Sequence, residues 1–199
     1  MRYFRESSSK RYLGAIFSRV AVVFILFYSR VNTIKMYLAM KVRGNISIGS
    51  GCSFEKGVSV RATDGGKIII GNNVAISQGA LLVAKGGTIK IDNDTFIGCG
   101  SIIVARSGIF IGNDALIAEY VTIRDQDHKL SLYPYRLAGF DSSPINISNN
   151  VWIGAKASIL RGSNIGESAV IGAHSLVNSA IPPFTISGGV PARVIRKVN

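Results

Sequence analysis

The chain has few cysteines, prolines and charged residues. Its 199 residues include 2 cysteines and 5 prolines, and 17% of them are charged. Two cysteines cannot staple a domain of this size, so we expect Cys52 and Cys99 to be small buried residues in a reducing compartment. The low charge beside a hydrophobic content of 47% excludes a disordered chain. Few prolines beside 22 glycines predict ordered segments separated by many tight corners.

Acidic residues are also scarce: 11 of them face 23 lysines and arginines, which gives a net charge of +12. Residues 1–45 hold nine of the basic residues and one acidic residue, and therefore carry +8 of this excess. The rest of the chain carries only +4, so the basic character belongs mainly to the N-terminal segment. We expect no nucleic-acid partner.

The chain lacks a long uninterrupted apolar run. Residues 12–29 are apolar except for Arg19, and their longest uncharged stretch has ten residues, whereas a membrane-spanning helix needs roughly 20. Arg19 also disfavours a secretory signal, because it splits the apolar region. Two interpretations stay open: a helix in contact with an anionic membrane surface, or a helix that covers one end of the domain or packs in an oligomer. We therefore expect a cytoplasmic protein, either free or peripheral on the inner face of the cell membrane.

From Ile46 onward the sequence has a six-residue repeat. A branched apolar residue recurs every six positions and is often followed by glycine, as in IGSGCS from Ile48, IGNDAL from Ile111 and IGAKAS from Ile153. This period fits neither a helix nor a plain alternating strand. It suits a short strand plus a corner, and three such units close a triangular coil whose like residues stack in ladders. The repeat predicts an all-β fold, a parallel β-helix over 46–182, between an N-terminal helical segment (1–45) and a C-terminal tail (183–199).

The spacing of the coil starts locates the insertions. The spacings are 22, 21, 20, 36 and 18 residues between the equivalent residues Ile48, Ile70, Ile91, Ile111, Ile147 and Ile165. Gly-rich stretches at 63–67, 84–88 and 105–108 account for the small excesses over three hexads, and we expect them to stack at one corner. The large excess corresponds to about 129–146. We expect it to form a loop that projects from the same corner, and long loops of this kind are usually functional.

A histidine precedes this loop, in the sequence Ile123-Arg-Asp-Gln-Asp-His128. An imidazole at the base of a projecting loop is a good candidate general base. Asp125 and Asp127 are both candidates for the carboxylate that holds its tautomer. The alternative is an ordinary surface histidine.

Residues 109–198 resemble the galactoside, maltose and nodulation O-acetyltransferases and similar capsule and lipopolysaccharide enzymes. The matching stretches are IFIGNDALIAEYVTI, DQDH, INISNNVWIGAKASILRGSNIGESAVIGAHSLV and IPPFTISGGVPARVIRK. The resemblance implies a left-handed parallel β-helix, acetyl-CoA as co-substrate, and a homotrimer with sites between subunits. It also implies acetyl transfer to a hydroxyl of a sugar or surface polysaccharide by direct attack, without an acyl-enzyme and without a metal.

The same resemblance suggests roles for individual residues. His128 matches the histidine that takes a proton from the acceptor hydroxyl, and Trp152 matches an aromatic residue beside the site. Arg193 and Arg196 match basic residues near the nucleotide phosphates. The residues matching positions along the pantetheine arm are Ala118, Gly154, Ala155, Gly172 and Ala173. Structural explanations also exist, since Trp152 can shield a coil edge and small residues suit tight corners.

Some positions depart from the family pattern. Ser179 stands where several relatives carry a lysine near the cofactor. Arg106 stands near the place of an acceptor-binding acid in galactoside-type relatives, so Arg106 and Arg124 suggest an anionic sugar. We add Tyr133, in the projecting loop, to the expected acceptor-binding residues.

Three other functions can be compared with this one. An N-acetyltransferase acting on an amino sugar or an antibiotic would use the same chemistry with a different acceptor pocket. A non-catalytic scaffold would need neither His128 nor the long loop. A β-helix carbonic anhydrase needs three histidines on one zinc ion, and this chain has only His128 and His174. We expect His174 to be a surface or interface residue.

Overall fold

The computed structural model describes residues 31, 33–34, 45–131 and 133–198. The helix predicted over 12–29 lies outside these residues. Val31, Thr33 and Ile34 are helical, and Thr33 Oγ1 accepts a hydrogen bond from the backbone N–H of Phe54 (3.1 Å) in the first coil. No helix among the described residues is long and apolar enough to cross a bilayer.

Three sheets of parallel strands form the sides of a triangular prism. Sheet A contains β1 (Ile46–Ile48), β4 (Lys67–Ile70), β7 (Thr88–Ile91), β10 (Gly108–Ile111), β15 (Ile145–Ile147), β18 (Asn164–Ile165) and β21 (Ala180–Ile181). Sheet B contains β2 (Ser53–Phe54), β5 (Ala75–Ile76), β8 (Phe96–Ile97), β11 (Leu116–Ile117), β16 (Trp152–Ile153), β19 (Val170–Ile171), β22 (Thr185–Gly189) and the antiparallel β23 (Ala192–Lys197). Sheet C contains β3 (Ser59–Thr63), β6 (Leu81–Lys85), β9 (Ile102–Ala105), β12 (Thr122–Arg124), β17 (Ser158–Ile159) and β20 (Leu176–Val177).

The predicted coil-start residues are direct neighbours in sheet A. Their Cα register runs in the order Ile48, Ile70, Ile91, Ile111, Ile147, Ile165 and Ile181. From Ile70 onward these side chains are buried, because each points into the prism where the three sheets face one another. The sequence prediction of a parallel β-helix with this register is confirmed.

The corners explain why the repeat has six residues. In uninterrupted hexads the third residue after each inward side chain adopts a positive φ, which turns the chain onto the next side. Non-glycine residues fill several of these positions, including Asp94, Lys156 and His174. Cys52 is buried as predicted, but Cys99 lies at such a corner and is only half-buried, so its prediction was wrong in part.

We name the corners by the sheets that they join: AB, BC and CA. At the AB corner, asparagine side chains fasten successive coils. The Oδ1 atoms of Asn72, Asn93 and Asn113 accept hydrogen bonds from the backbone N–H of Ser50 (2.9 Å), Asn72 (2.8 Å) and Asn93 (3.1 Å). Asn149 continues this ladder by accepting from Asn113 (2.9 Å).

The coil continues past the expected start of the tail. The pair Pro182-Pro183 interrupts the hexad pattern, yet β22 follows and adds to sheet B in parallel with β19. Only β23 turns back, as an antiparallel strand on β22. The prism therefore has six complete coils and part of a seventh.

Candidate active site

The CA corner carries the insertions, as the sequence predicts. The Gly-rich turns between β3 and β4, β6 and β7, and β9 and β10 all join sheet C to sheet A. After β12 the chain instead leaves the prism as a hairpin. We call it the site hairpin: β13 (Gln126–His128), β14 (Phe140–Ser142) and the connecting residues 129–139.

The site hairpin is more regular than the expected loop. It begins at Gln126, and β15 of the next coil already begins at Ile145, which is fully buried. A short 3₁₀ helix, Tyr135–Leu137, lies in the connection. The predicted loop at 129–146 is thus shifted, because its last residues belong to the core and its base is paired as a two-stranded sheet.

His128 stands at the end of β13, opposite Phe140. The two ring centroids are 4.3 Å apart with an interplanar angle of 40°. The imidazole is exposed and makes no hydrogen bond to any residue that the structure describes. Phe140 therefore packs against the ring, while the ring nitrogens stay available to a substrate.

Asp125 is fully buried at the base of the hairpin. Its carboxylate accepts three hydrogen bonds from the previous coil's corner, from the backbone N–H groups of Arg106 (2.8 Å), Ser107 (2.7 Å) and Gly108 (2.7 Å). These contacts commit the carboxylate to the backbone. Asp125 was one of the two candidates for orienting the imidazole; in the structure it instead anchors the hairpin to the previous coil.

The other candidate carboxylate, Asp127, is also engaged elsewhere. Its Oδ2 accepts a hydrogen bond from Arg161 Nε at 2.7 Å, on the corner of the following coil. Across the hairpin, Asp141 lies 4.0 Å from Lys129 Nζ. Neither aspartate bonds to His128 in this chain, so the structure supplies no carboxylate partner for the imidazole among the described residues.

Arg106 lies beside this histidine. Its guanidinium carbon is 3.7 Å from the centre of the Phe140 ring, the ring that also contacts His128. Arg124 is exposed on the outer face of sheet C, next to Val104 in the ladder. Tyr133 is 84% exposed in the connection of the hairpin, with its ring centroid 6.0 Å from that of Tyr135. Of the three predicted acceptor-binding residues, the structure brings only Arg106 into the Phe140 cluster with His128.

The small residues predicted to bind the cofactor stack along the BC corner. The backbone N–H of Ala118 donates to Ile153 (2.9 Å), and that of Gly154 donates to Ile171 (2.8 Å). A Cβ at Gly154 would lie 2.6 Å from the backbone nitrogen of Ala173, so successive coils approach too closely there for a larger residue. Gly172 continues the column, and Ala155 and Ala173 follow at the next hexad position.

The small residues predicted to bind the cofactor and the predicted catalytic histidine therefore lie on different corners of one chain. The BC corner and the CA corner are separated by a full side of the prism, roughly 15 Å for one strand and its turns. Trp152 lies on the outer face of sheet B, 51% exposed, between Leu116 and Val170. It does not share a corner with His128.

Arg193 and Arg196 lie on the same outer face of sheet B. Arg193 pairs with Gly188 and Arg196 with Ile186, and an irregularity in the register between Ile186 and Ser187 absorbs the extra residue. Without it, two residues three apart in a strand would point to opposite faces. Both arginines are exposed, and within the described residues neither forms an ion pair.

Sequence reasoning missed Phe140 and Arg161, the two residues that fix His128 and Asp127. Phe140 lies outside the hexad repeat, and no pattern marked it as a strand residue. His174 is exposed at the BC corner, in agreement with the prediction. No group of three or more His, Cys, Asp or Glu side chains in the described part of the chain is arranged to hold a metal ion.

Comparison with known structures identifies the class of fold. The sequence matches no family model. The fold matches AntD, an N-acyltransferase from Bacillus cereus solved with coenzyme A, with a TM-score of 0.71 at 25% identity over 81% of this chain and 88% of that one. Galactoside acetyltransferase in complex with coenzyme A matches with a TM-score of 0.51 at 29% identity over 76% of this chain and 64% of that one. The protein is a left-handed parallel β-helix.

Sequence relatives narrow the class. The chain is 43% identical over 91 residues to galactoside O-acetyltransferase of Escherichia coli (strain K12), covering 46% of this chain and 45% of that enzyme. It is 29% identical over 183 residues to WbbJ of the same organism, assigned to lipopolysaccharide biosynthesis as an O-acetyl transferase, covering 87% of this chain and 83% of WbbJ. The relatives that are at least 40% identical to this chain are each matched over less than half of their own length. In sequence, the chain is therefore similar to acetyltransferases, over most of its length at 29% identity and over nearly half of it at 40% or more.

Proposed function

We propose that the protein transfers an acetyl group from acetyl-CoA to a hydroxyl of a sugar or surface polysaccharide, with His128 as general base. The observation that carries the proposal is the placement of His128. The only long insertion among the described coils is anchored by Asp125 and presents this imidazole to solvent with both nitrogens free. A positioned imidazole is the most common general base in enzymes.

The proposed reaction is a direct displacement. His128 takes the proton of the acceptor hydroxyl as the oxygen bonds to the thioester carbonyl carbon. The carbon–sulfur bond then breaks, and the imidazolium returns the proton to the departing sulfur of CoA. No bond to the protein forms in this reaction.

Acetyl-CoA supplies the thioester, and two features of this chain suit it. The column of Ala118, Gly154 and Gly172 carries no bulky side chain along the BC corner, which leaves room for a thin pantetheine arm. Ala155 and Ala173 leave the neighbouring positions small. Arg193 and Arg196, which share one face at the C-terminal end of sheet B, would hold the nucleotide phosphates.

The proposed site needs two copies of the chain. His128 and the BC corner are about 15 Å apart or more within one prism, and Trp152 lies on a third surface. A homotrimer in which the CA corner of one subunit faces the BC corner of its neighbour would bring them together. The partly exposed row Phe96, Leu116 and Trp152 supplies an apolar surface for such packing.

An N-acyltransferase remains the second candidate. The likeness to AntD at a TM-score of 0.71 favours it, since that protein acts on nitrogen. His128 would serve there in the same way, by taking a proton from an attacking amine. An assay that compares amino sugars with their hydroxyl counterparts separates the two reactions.

Two roles are proposed for the N-terminal segment: a helix that covers the first coil, and contact with the membrane surface. The hydrogen bond between Thr33 and Phe54 supports a helix that covers the first coil. Peripheral contact with the inner membrane face rests on residues 12–29 alone, which lie outside the described residues.

The test of the proposed function replaces each histidine in turn. Loss of the base in His128→Ala should lower kcat about 100- to 10,000-fold, measured as CoA release from acetyl-CoA over a panel of sugars. His174→Ala removes the other histidine of the chain and should retain the parent kcat. Full turnover by the His128 variant, with its fold checked by circular dichroism, would show that the mechanism is wrong.

A further inference from the structure

Arg106 is a half-buried cation without an anionic partner. Among the described residues its guanidinium forms no ion pair and no side-chain hydrogen bond, although it carries five N–H donors. An arginine that is partly withdrawn from water gains from pairing with a carboxylate or a phosphate. The lack of such a partner in this position points to a ligand.

The acidic residues nearby are already occupied. Asp125 binds three backbone amides, Asp127 binds Arg161, and Asp141 faces Lys129. Each aspartate of the hairpin and its base therefore has a partner other than the guanidinium of Arg106. No aspartate of the hairpin or its base neutralises this guanidinium.

The stacking geometry leaves the right atoms free. Arg106 lies over the face of the Phe140 ring at 3.7 Å. Such stacking uses the flat face of the guanidinium and leaves its edge, where the N–H groups point, open to a planar anion. Two parallel hydrogen bonds from this edge fit a carboxylate. Because His128 contacts the same ring, an anion bound by Arg106 would belong to the same cluster as the base.

The backbone of Arg106 is also held in place. Its N–H donates to Asp125, the residue that anchors the site hairpin. One carboxylate therefore holds both the backbone of Arg106 and the base of the segment that carries His128.

We infer that the acceptor is an acidic sugar, whose carboxylate binds the edge of Arg106 while a neighbouring hydroxyl of the same ring faces His128. The inference rests on the proposed function. Arg106 determines specificity in it and takes no part in the proton transfer.

The experiment uses pairs of acceptors that differ only in one group. CoA release is measured with the methyl glycosides of glucose, galactose and mannose and with those of the matching uronic acids, and glucose 6-phosphate tests a phosphate in place of the carboxylate. We expect at least one uronide to exceed its neutral partner about 10- to 100-fold in kcat/KM, as one charge-assisted bidentate contact allows. Arg106→Gln should remove that preference by raising KM for the uronide, with KM for acetyl-CoA unchanged.

Arg61→Gln is the matched control. It removes the same charge from the outer face of sheet C in the first coil, far from the hairpin, and should leave the uronide preference intact. Turnover of neutral sugars at least as fast as uronides overturns the inference and leaves the proposed function standing. A rise in KM for acetyl-CoA in Arg106→Gln also overturns it, by assigning the arginine to the cofactor. Better turnover of the sugar phosphate than of every uronide overturns the carboxylate. No turnover of any acceptor contradicts the proposed function itself.

Discussion

The AB corner and the CA corner solve the same problem in different ways. At both corners, some backbone N–H groups of one coil have no partner in the strand ladder. They donate instead to a side-chain oxygen of the next coil. At the AB corner one neutral amide oxygen serves one N–H per coil, as Asn93 does for Asn72. At the CA corner a single charged carboxylate, Asp125, serves three N–H groups at once.

The two corners differ in how their stabilising contacts are distributed along the prism. The asparagine ladder spreads small contributions over several coils, and each rung repeats its neighbour. Asp125 has no equivalent in the other coils that the structure describes. The segment after it leaves the prism and carries His128. A strong local anchor is needed there because the site hairpin has few core contacts of its own: within it, Phe140 is half-buried and Asp127 is exposed.

Removal of the Asp125 carboxylate is the most direct test of this difference between the two corners. In Asp125→Ala three backbone N–H groups lose a charged acceptor in a buried place, so the free energy of unfolding should fall by about 3 kcal/mol. Urea denaturation at fixed protein concentration measures this loss. We also expect a lower kcat below the unfolding transition, because His128 would no longer be held in one position.

Asp127→Ala is the matched control for that variant. Asp127 lies two residues further on and forms an ion pair in which both side chains are substantially exposed. Its removal should change the free energy of unfolding by at most about 1 kcal/mol. If Asp127→Ala were the more damaging of the two, the anchor assigned to Asp125 would be wrong.

The register of the strands could be predicted from the sequence, but only some of the side-chain contacts at the corners could. The ladder from Ile48 to Ile165 follows from the hexad period, because each inward isoleucine must lie above the last. The same arithmetic places Asp125 one coil above Arg106, so its contact with that turn could have been foreseen. The pairing of His128 with Phe140 could not, since residues 129–144 carry no repeat and their strand pairing depends on tertiary packing.

The asparagine ladder should respond more weakly. Asn93→Ala removes the acceptor for the N–H of Asn72 and the donor of a side-chain bond to Asn113 (3.0 Å). The N–H of Asn72 lies at an exposed corner where water can replace the lost partner, so we expect a loss of about 1 kcal/mol by thermal or urea unfolding. Ser148→Ala, at the neighbouring position of the same corner, makes no such contact and should be neutral. A loss at Asn93 as large as that at Asp125 would contradict the comparison of the two corners.

The smallest effect is expected inside the prism, at the end of the inward ladder of sheet B. Ser187 occupies the place that isoleucine holds in the coils below, next to Ile171, and its buried hydroxyl has no hydrogen-bond partner in the described structure. Ser163 is equally buried, but its hydroxyl donates to the carbonyl of Val177 (3.1 Å). Removing an unpaired hydroxyl relieves a desolvation cost, so Ser187→Ala should be neutral or slightly stabilising. Ser163→Ala should instead lose about 1 kcal/mol. Equal losses in the two variants, measured by thermal unfolding at one protein concentration, would show that the Ser187 hydroxyl has a partner in solution.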